Sequence, residues 1–556
     1  MPTQSRFLRR LSEGVAAFAA RLGRDQRGAI AVQFAFLALP LSVLVFGLVD
    51  VSRVSLQRRQ MQDALDAATL MAARSSAVTD ADLDTVGDAA FLTEITGMNL
   101  GLTATSSTFA TGAGNKVIGT ATGTIKPIIA NLWTGANITV TARSEVVRSV
   151  NKLEVALVLD NTGSMASKLG STNTKKIDAL KSAAKSLVNT LAAAAGRASD
   201  TDAVKISVVP FSMTVNVGSI YQTASWMSGT QPSAYGSDVF ASSQNRFTLL
   251  SNLGLTWAGC VESRPDPYDI QDTAPSSGTP ATLFVPFFAP DEPDDNTVYY
   301  DSWNRWRDAR TVWGGDIQNN WITNDKNSST DWFTRQAEPN KYAASNKAAV
   351  ISDAKTGTNY GPNAGCGLTN LLRLTNVRTA AGAQTVNDKL DQMIANGNTN
   401  IAMGAMWGWH TLSPNAPFAD GAAYGTPKTQ KIMVLLTDGD NTNDDYYVPN
   451  GSIYTGYGYM WQKRLKNSSN VALDENSSET DRRDAIDSRQ AQVCANAKAA
   501  GVLIYSIGVG VSSHSKGNLQ ACASRSDMYY DVTDATQLSA VFNSIAGAIQ
   551  NLRISK

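Results

Sequence analysis

Residues 153–165 read LEVALVLDNTGSM. Apart from Glu154, the run from Leu153 to Leu159 is apolar, and it ends on Asp160. Such a run suits a strand buried on both faces of a parallel sheet, where helices cover each side. Downstream, Ile177, Leu180, Ala184, Leu187, Val188 and Leu191 share one face of a predicted helix. VKISVVPF from Val204, KIMVLL from Lys431 and VLIYSIGV from Val502 read as further strands. Helical segments separate them, one around Ala491–Ala500. A last helix from about Asp534 turns Leu538, Val541, Phe542, Ile545 and Ile549 inward. Strands alternating with helices predict an α/β, doubly wound domain over residues 151–213 and 396–556.

The stretch 214–395 breaks that rhythm. It holds seven of the eleven tryptophans (Trp226, Trp257, Trp303, Trp306, Trp313, Trp321 and Trp332) and acidic, Pro-rich turns such as APDEPDD. A structureless loop of this length is foreign to a compact domain, so a separately packed inserted module is expected, its aromatics used mainly for core and turn packing.

Toward the N-terminus, Gly28 to Val49 reads GAIAVQFAFLALPLSVLVFGLV, without a charge. About 20 apolar residues span a bilayer as a helix, and Pro40 is tolerable inside one. Arg6, Arg9, Arg10, Arg21, Arg24 and Arg27 precede it, which places residues 1–27 in the cytoplasm and the rest of the chain outside. The run exceeds the core of a cleaved signal and no small-x-small site follows, so residues 28–50 are expected to stay as a single-pass anchor. Val54, Met61, Leu65, Ala68 and Ala72 continue at helical spacing, with Arg59 set to pair with Asp63. Between Leu100 and Val150, β-prone runs such as TATGTIKPII and NITVTARSEVV predict a small sheet. Residues 51–150 are therefore pilin-like in outline, a long helix followed by a small β domain.

Composition bounds the rest. The 556 residues leave room for three or four domains, and 43% hydrophobic residues exclude global disorder. The 48 basic and 48 acidic side chains cancel, so no electrostatic case for nucleic acid exists. Two histidines, His410 and His514, cannot build a three-histidine centre. His410 reads as a core residue, and His514 lies in a polar Ser- and Gly-rich loop. No phosphate-binding glycine loop is present. Four cysteines allow three pairings. Two local bridges, Cys260 with Cys366 and Cys494 with Cys522, are the expectation in an oxidising compartment.

Ligands of open α/β sheets gather at the carboxyl ends of the strands. Asp160, Thr162 and Ser164 follow the first strand, Asp438 follows a later one, and Thr399 sits in GNTN before a helical segment. Two carboxylates and three hydroxyls are hard oxygen donors, suited to Mg²⁺, Mn²⁺ or Ca²⁺. Gly163 is expected to supply the sharp turn among them. With few carboxylates, such an ion keeps an open position for an outside acid.

These three motifs, in this order, resemble the metal-ion-dependent adhesion site of von Willebrand factor A domains. The resemblance implies that Asp160, Thr162, Ser164, Thr399 and Asp438 hold the ion. The wider chain resembles the TadG-like proteins of tight-adherence (Flp) pilus assembly, in RGAIAVQFAFLALPL, DALDAATLMAAR, AGCVESR, GPNAGC, GNTNIAMGAMWGWHTLSP and YYDVTDATQLSAVFNSIAGAI. It implies an inner-membrane protein facing the periplasm, partnered by other pilus-assembly or pseudopilin proteins; self-association stays open. Related pseudopilins carry glutamate five residues after the cleaved glycine, where this chain has Gln33, so retention of the anchor is favoured. Two alternatives compete. DGDNT at 438–442 also fits a haloacid-dehalogenase-like phosphatase, with Asp438 as nucleophile and Asp440 as acid, whereas the expectation is no enzyme. The other is a structural module with a vestigial metal site.

Overall fold

The computed structural model describes residues 29–75, 77, 79–98, 104–112, 116–127, 137–147, 152–170, 173–198, 200–231, 238–293, 298–300, 306–308, 319–323, 332–356, 360–443, 450 and 452–554. The basic segment 1–27, Gly28, Trp303 and Trp313 lie outside them. The chain forms two compact units, one of Met1–Ala73, Leu83–Thr111 and Val117–Val146, the other of Arg74–Asp82, Gly112–Lys116 and Val147–Lys556.

In the first unit the apolar run and the amphipathic stretch merge into one helix, α1 (Ala29–Arg74), with Pro40 inside it. Phe34, Phe36, Leu37, Leu41, Leu44 and Phe46 are exposed. Among the described residues it is the one helix long and apolar enough to cross a membrane. Farther on, Met61, Ala64, Leu65, Ala68 and Ala72 are buried at helical spacing. The expected Arg59–Asp63 pair is not formed; Gln62 instead donates to Asp66 Oδ1 and to the Arg143 carbonyl, each at 2.9 Å. An exposed pair is worth a few tenths of a kcal/mol, so little holds it together.

A second helix, α2 (Asp80–Met98), was not expected from the sequence. Its start is signed by Thr79, whose hydroxyl accepts from the Asp82 amide at 3.2 Å and donates to the Asp82 carboxylate at 2.7 Å. Strands β1 (Ala104–Gly112), β2 (Lys116–Ile125) and β3 (Ile138–Val147) form a sheet in that order. Phe109 of β1 fills space that a side chain on Gly87 of α2 or Gly119 of β2 would occupy, its ring atoms 2.2 and 2.9 Å from those added carbons. Helix and sheet thereby share a core around one phenyl ring.

The second unit is built on six strands, β4 (Lys152–Asp160), β5 (Val204–Phe211), β6 (Leu372–Asn376), β7 (Thr429–Thr437), β8 (Val502–Val509) and β9 (Tyr529–Val532). Their order is β6-β5-β4-β7-β8-β9. Neighbours run parallel except β6, antiparallel to β5. Its longer helices are α3 (Lys176–Gly196), α4 (Ala380–Asp391), α5 (Ile401–Leu412), α6 (Glu479–Ala499), α7 (Ser513–Cys522) and α8 (Gln537–Ile554). Alternate residues of a strand face opposite sides. Val155, Leu157 and Leu159 pack with α3, α4 and α8, whereas Ala156 and Val158 pack with α5, α6 and α7. This is the doubly wound sheet expected of a von Willebrand factor A-type fold. Because Leu436 stands opposite Leu159, β4 and β7 end level with each other, at the point where the strand order reverses.

Two corrections concern the inserted module. Its expected end at 395 is too late, because β6 joins the sheet and α4 buries Val386 and Leu390 beneath it. Nor is it separately packed. Phe284 lies 4.8 Å from the Trp407 ring of α5, and Trp226, Trp257 and Trp321 belong to the core that holds Val158 and Met433. The reason is α5 itself. All twelve of its residues, IAMGAMWGWHTL, are buried, and a helix apolar on every side needs cover on the face turned away from the sheet.

Both expected disulfides are formed. Cys260 bonds Cys366, and Cys494 of α6 bonds Cys522 of α7.

Candidate metal centre

Asp160 is the last residue of β4. Its Oδ1 accepts from the Thr162 amide at 2.8 Å, and its Oδ2 accepts from the Thr437 hydroxyl at 2.6 Å. The chain then enters a 3-10 turn, Gly163–Ala166. Ser164 Oγ donates to Asp438 Oδ1 at 2.6 Å and lies 3.0 Å from Thr162 Oγ1. Four of the five expected residues are thus joined by hydrogen bonds at the crevice between β4 and β7.

Thr399 arrives on a loop laced to both sides. Gly163 N donates to Gly397 O at 2.9 Å, and Asn396 N donates to Asn161 O at 2.8 Å. Across the crevice, Thr399 N donates to Thr442 Oγ1 and Thr442 N returns a bond to Thr399 O, each at 2.9 Å. Asn441 Oδ1 accepts from Ile401 N at 2.7 Å, and Asn400 caps α5 by accepting from Met403 N at 3.0 Å. The Thr399 hydroxyl makes no hydrogen bond among the described residues. The expected role of Gly163 needs correction. The left-handed glycine is Gly397, at φ 81°, where an added side chain would also press on Ser212.

Both carboxylates are buried. Burial, then the charge of Asp438, pushes the Asp160 carboxyl up to about 6, against hydrogen bonds from Thr162 and Thr437 that pull it down. A buried pair of acids favours a cation, and the fold already supplies one. Lys176, the first residue of α3, places its ammonium 2.8 Å from Asp438 Oδ2. The sequence reading missed it, since a lysine at the start of a helix carries no motif. Two carboxylates, two hydroxyls in their hydrogen-bonded chain and an uncommitted Thr399 hydroxyl on the adjoining loop form a donor set of hard oxygens, which fits Mg²⁺, Mn²⁺ or Ca²⁺.

Asp440, the acid of the phosphatase alternative, faces α7. Its Oδ1 accepts from Ser512 and Ser515 at 2.6 and 2.5 Å. Burial alone would raise its carboxyl, but these bonds, with His514 and Arg483, hold it below the usual range. An ionised, hydrogen-bonded carboxylate is poorly suited to donate a proton. His514 lies in the first turn of α7 rather than in a loop, 2.6 Å from Asp487. His410 is buried on α5 between Phe284 and Trp407, a core position as expected.

Residues 28–75 match the Tad family model, Flp pilus-assembly TadE/G-like. No curated protein matches the chain. Among solved structures, the pilus adhesin SpaC from Lactobacillus rhamnosus GG aligns at 12% identity and a TM-score of 0.33, over 81% of this chain and 34% of that one. The PilB minor pilin from Streptococcus sanguinis aligns at 13% identity and 0.31, over 80% and 78%. The vWF domain of the type V pili tip protein Mfa5 from Porphyromonas gingivalis aligns at 9% and 0.31, over 72% and 96%. The chain thus spans about a third of the length of the first.

Proposed function

We propose that this protein is a membrane-anchored component of tight-adherence (Flp) pilus assembly that binds a partner protein through a divalent cation. Asp160, Thr162, Ser164, Thr399 and Asp438 would hold the ion. When bound, it supplies a Lewis-acidic position that takes a carboxylate from the partner. The chain's own residues do the rest. Thr437 and the Thr162 amide fix Asp160, Ser164 fixes Asp438, and the Thr399–Thr442 pair pins the third loop. The observation that carries this reading is the hydrogen-bonded convergence of Asp160, Thr162, Ser164 and Asp438 from separate parts of the chain. The pilus context is supported by the family match at 28–75. The inner-membrane, periplasm-facing orientation is supported by α1 and by the arginines before it. Expected partners are other pilus-assembly or pseudopilin proteins.

Crosslinking in cells tests this directly. Wild type should trap a partner that Asp160→Ala does not, with equal amounts of both proteins in the membrane. Identical crosslinks would contradict it. A second reading, a structural module with a vestigial metal site, is favoured by one observation: the Lys176 ammonium already neutralises Asp438.

A further inference from the structure

The ammonium of Lys176 is nearly enclosed, and the Asp438 carboxylate it touches is fully buried. Nothing in the β4 or β7 strands calls for it. The position is set by the loop that brings the chain from the adhesion motif into α3. Lys168 and Lys175 form a β-bridge across that loop, and the Lys176 amide donates to Ser167 O at 2.9 Å. The loop therefore returns to the motif it left and delivers a cation to the acid across the crevice. Both oxygens of Asp438 are then engaged, Oδ1 by Ser164 and Oδ2 by Lys176.

We propose that Lys176 is a built-in competing cation, which holds Asp438 in the metal-free protein and must release it before a divalent ion gains full use of that carboxylate. This rests on the metal-binding reading above and adds how the site is regulated. With both acids ionised the pocket carries two negative charges, of which Lys176 cancels one. An incoming divalent ion meets one uncompensated carboxylate and a like charge within a few ångströms, in surroundings that screen poorly. Metal uptake is therefore weak on its own. An acidic partner reverses the balance, because its carboxylate adds a negative charge and offers the displaced ammonium a new counter-ion. Metal and partner then bind as a linked pair, each strengthening the other by the same factor.

The test is titration with Mn²⁺ and Mg²⁺ by calorimetry, on the full chain in detergent. Wild type, Lys176→Met, Lys176→Gln and Asp160→Ala are compared; Lys176→Gln keeps a hydrogen-bond donor to Asp438 where Lys176→Met does not. Removing the lysine charge should tighten binding by about tenfold or more. In chelator, both lysine variants should melt below wild type, because two buried acids have lost their cation, and Mg²⁺ should raise their midpoints by more than it raises that of wild type. Equal affinities in wild type and both lysine variants, with uptake lost in Asp160→Ala, overturn the competing-cation proposal and leave the metal-binding reading standing. Uptake by the lysine variants alone supports the proposal and overturns unaided metal binding by the wild type. Uptake by none of the proteins overturns both.

Discussion

Asp440 separates the binding reading from the phosphatase reading at the level of a single side chain. Asp440 spends its carboxylate on Ser512 and Ser515 at the start of α7. Asp440→Asn keeps an acceptor there, so stability should fall by no more than about 1 kcal/mol, in line with an altered helix cap. Metal uptake should stay near wild type, and a large loss in calorimetry would reinstate Asp440 as part of the centre. His410 makes a pH prediction. Burial first, then the charge of Arg264, holds its imidazole well below the usual 6.5, and both ring nitrogens lack hydrogen-bond partners among the described residues. Below pH 6.5 the unfolded chain takes up a proton that the native state refuses. The stability this residue contributes is thus full above pH 6.5 and lost as pH falls beneath it, by up to about 1.4 kcal/mol per pH unit. Denaturant unfolding at pH 7 and pH 5 should show His410→Phe losing less stability on acidification than wild type. Equal losses would mean the imidazole is already charged when folded. Asp160, Thr162, Ser164 and Asp438 were legible because hydroxyls and acids follow apolar strands at short spacing. Lys176 was not, because its partner lies 262 residues away and no local pattern announces it.

Helix α5 carries the argument at the scale of elements. Gly404 and Gly408 let it approach the sheet: an added carbon on Gly404 would lie 2.5 Å from the Phe211 ring, and one on Gly408 would lie 2.3 Å from Val158. Alanine favours an isolated helix over glycine by about 1 kcal/mol, yet overpacking costs about 1–3 kcal/mol. Gly408→Ala should therefore lower the melting temperature, and adding Val158→Ala should recover part of the loss. Additive losses in the double variant would show that the two sites do not meet. The same helix explains what the sequence reading of the insertion got wrong. Length and Trp content argued for a module apart, but the uniformly apolar IAMGAMWGWHTL was the stronger signal, since its outer face needed a lining and residues around Phe284 provide it. Helix α2 went unread because its buried positions, Leu83, Gly87, Ala90 and Phe91, mix small and large residues too weakly to stand out from their polar neighbours.

For the molecule as a whole, the parallel strand runs and the long apolar segment made the α/β unit and the candidate anchor legible, while β6 was hidden because LRLTN is short and only partly buried at the edge. The disulfides give a global test. In the chain-entropy model each contributes about 3–5 kcal/mol, and the 106-residue separation of Cys260 and Cys366 favours that bridge over the 28-residue one by about 1 kcal/mol. Cys260→Ser should thus lower the melting temperature more than Cys494→Ser; the reverse order would mean that strain or residual structure dominates. The central claim is that oxygens from three separated loops take up one divalent cation. Calorimetric titration of the purified full-length protein with Mn²⁺ addresses it most directly. The account expects saturable binding near one ion per chain, abolished by Asp160→Ala while that variant stays folded. Absence of uptake by folded wild type and by folded Lys176→Met alike, or uptake undiminished in Asp160→Ala, would contradict it.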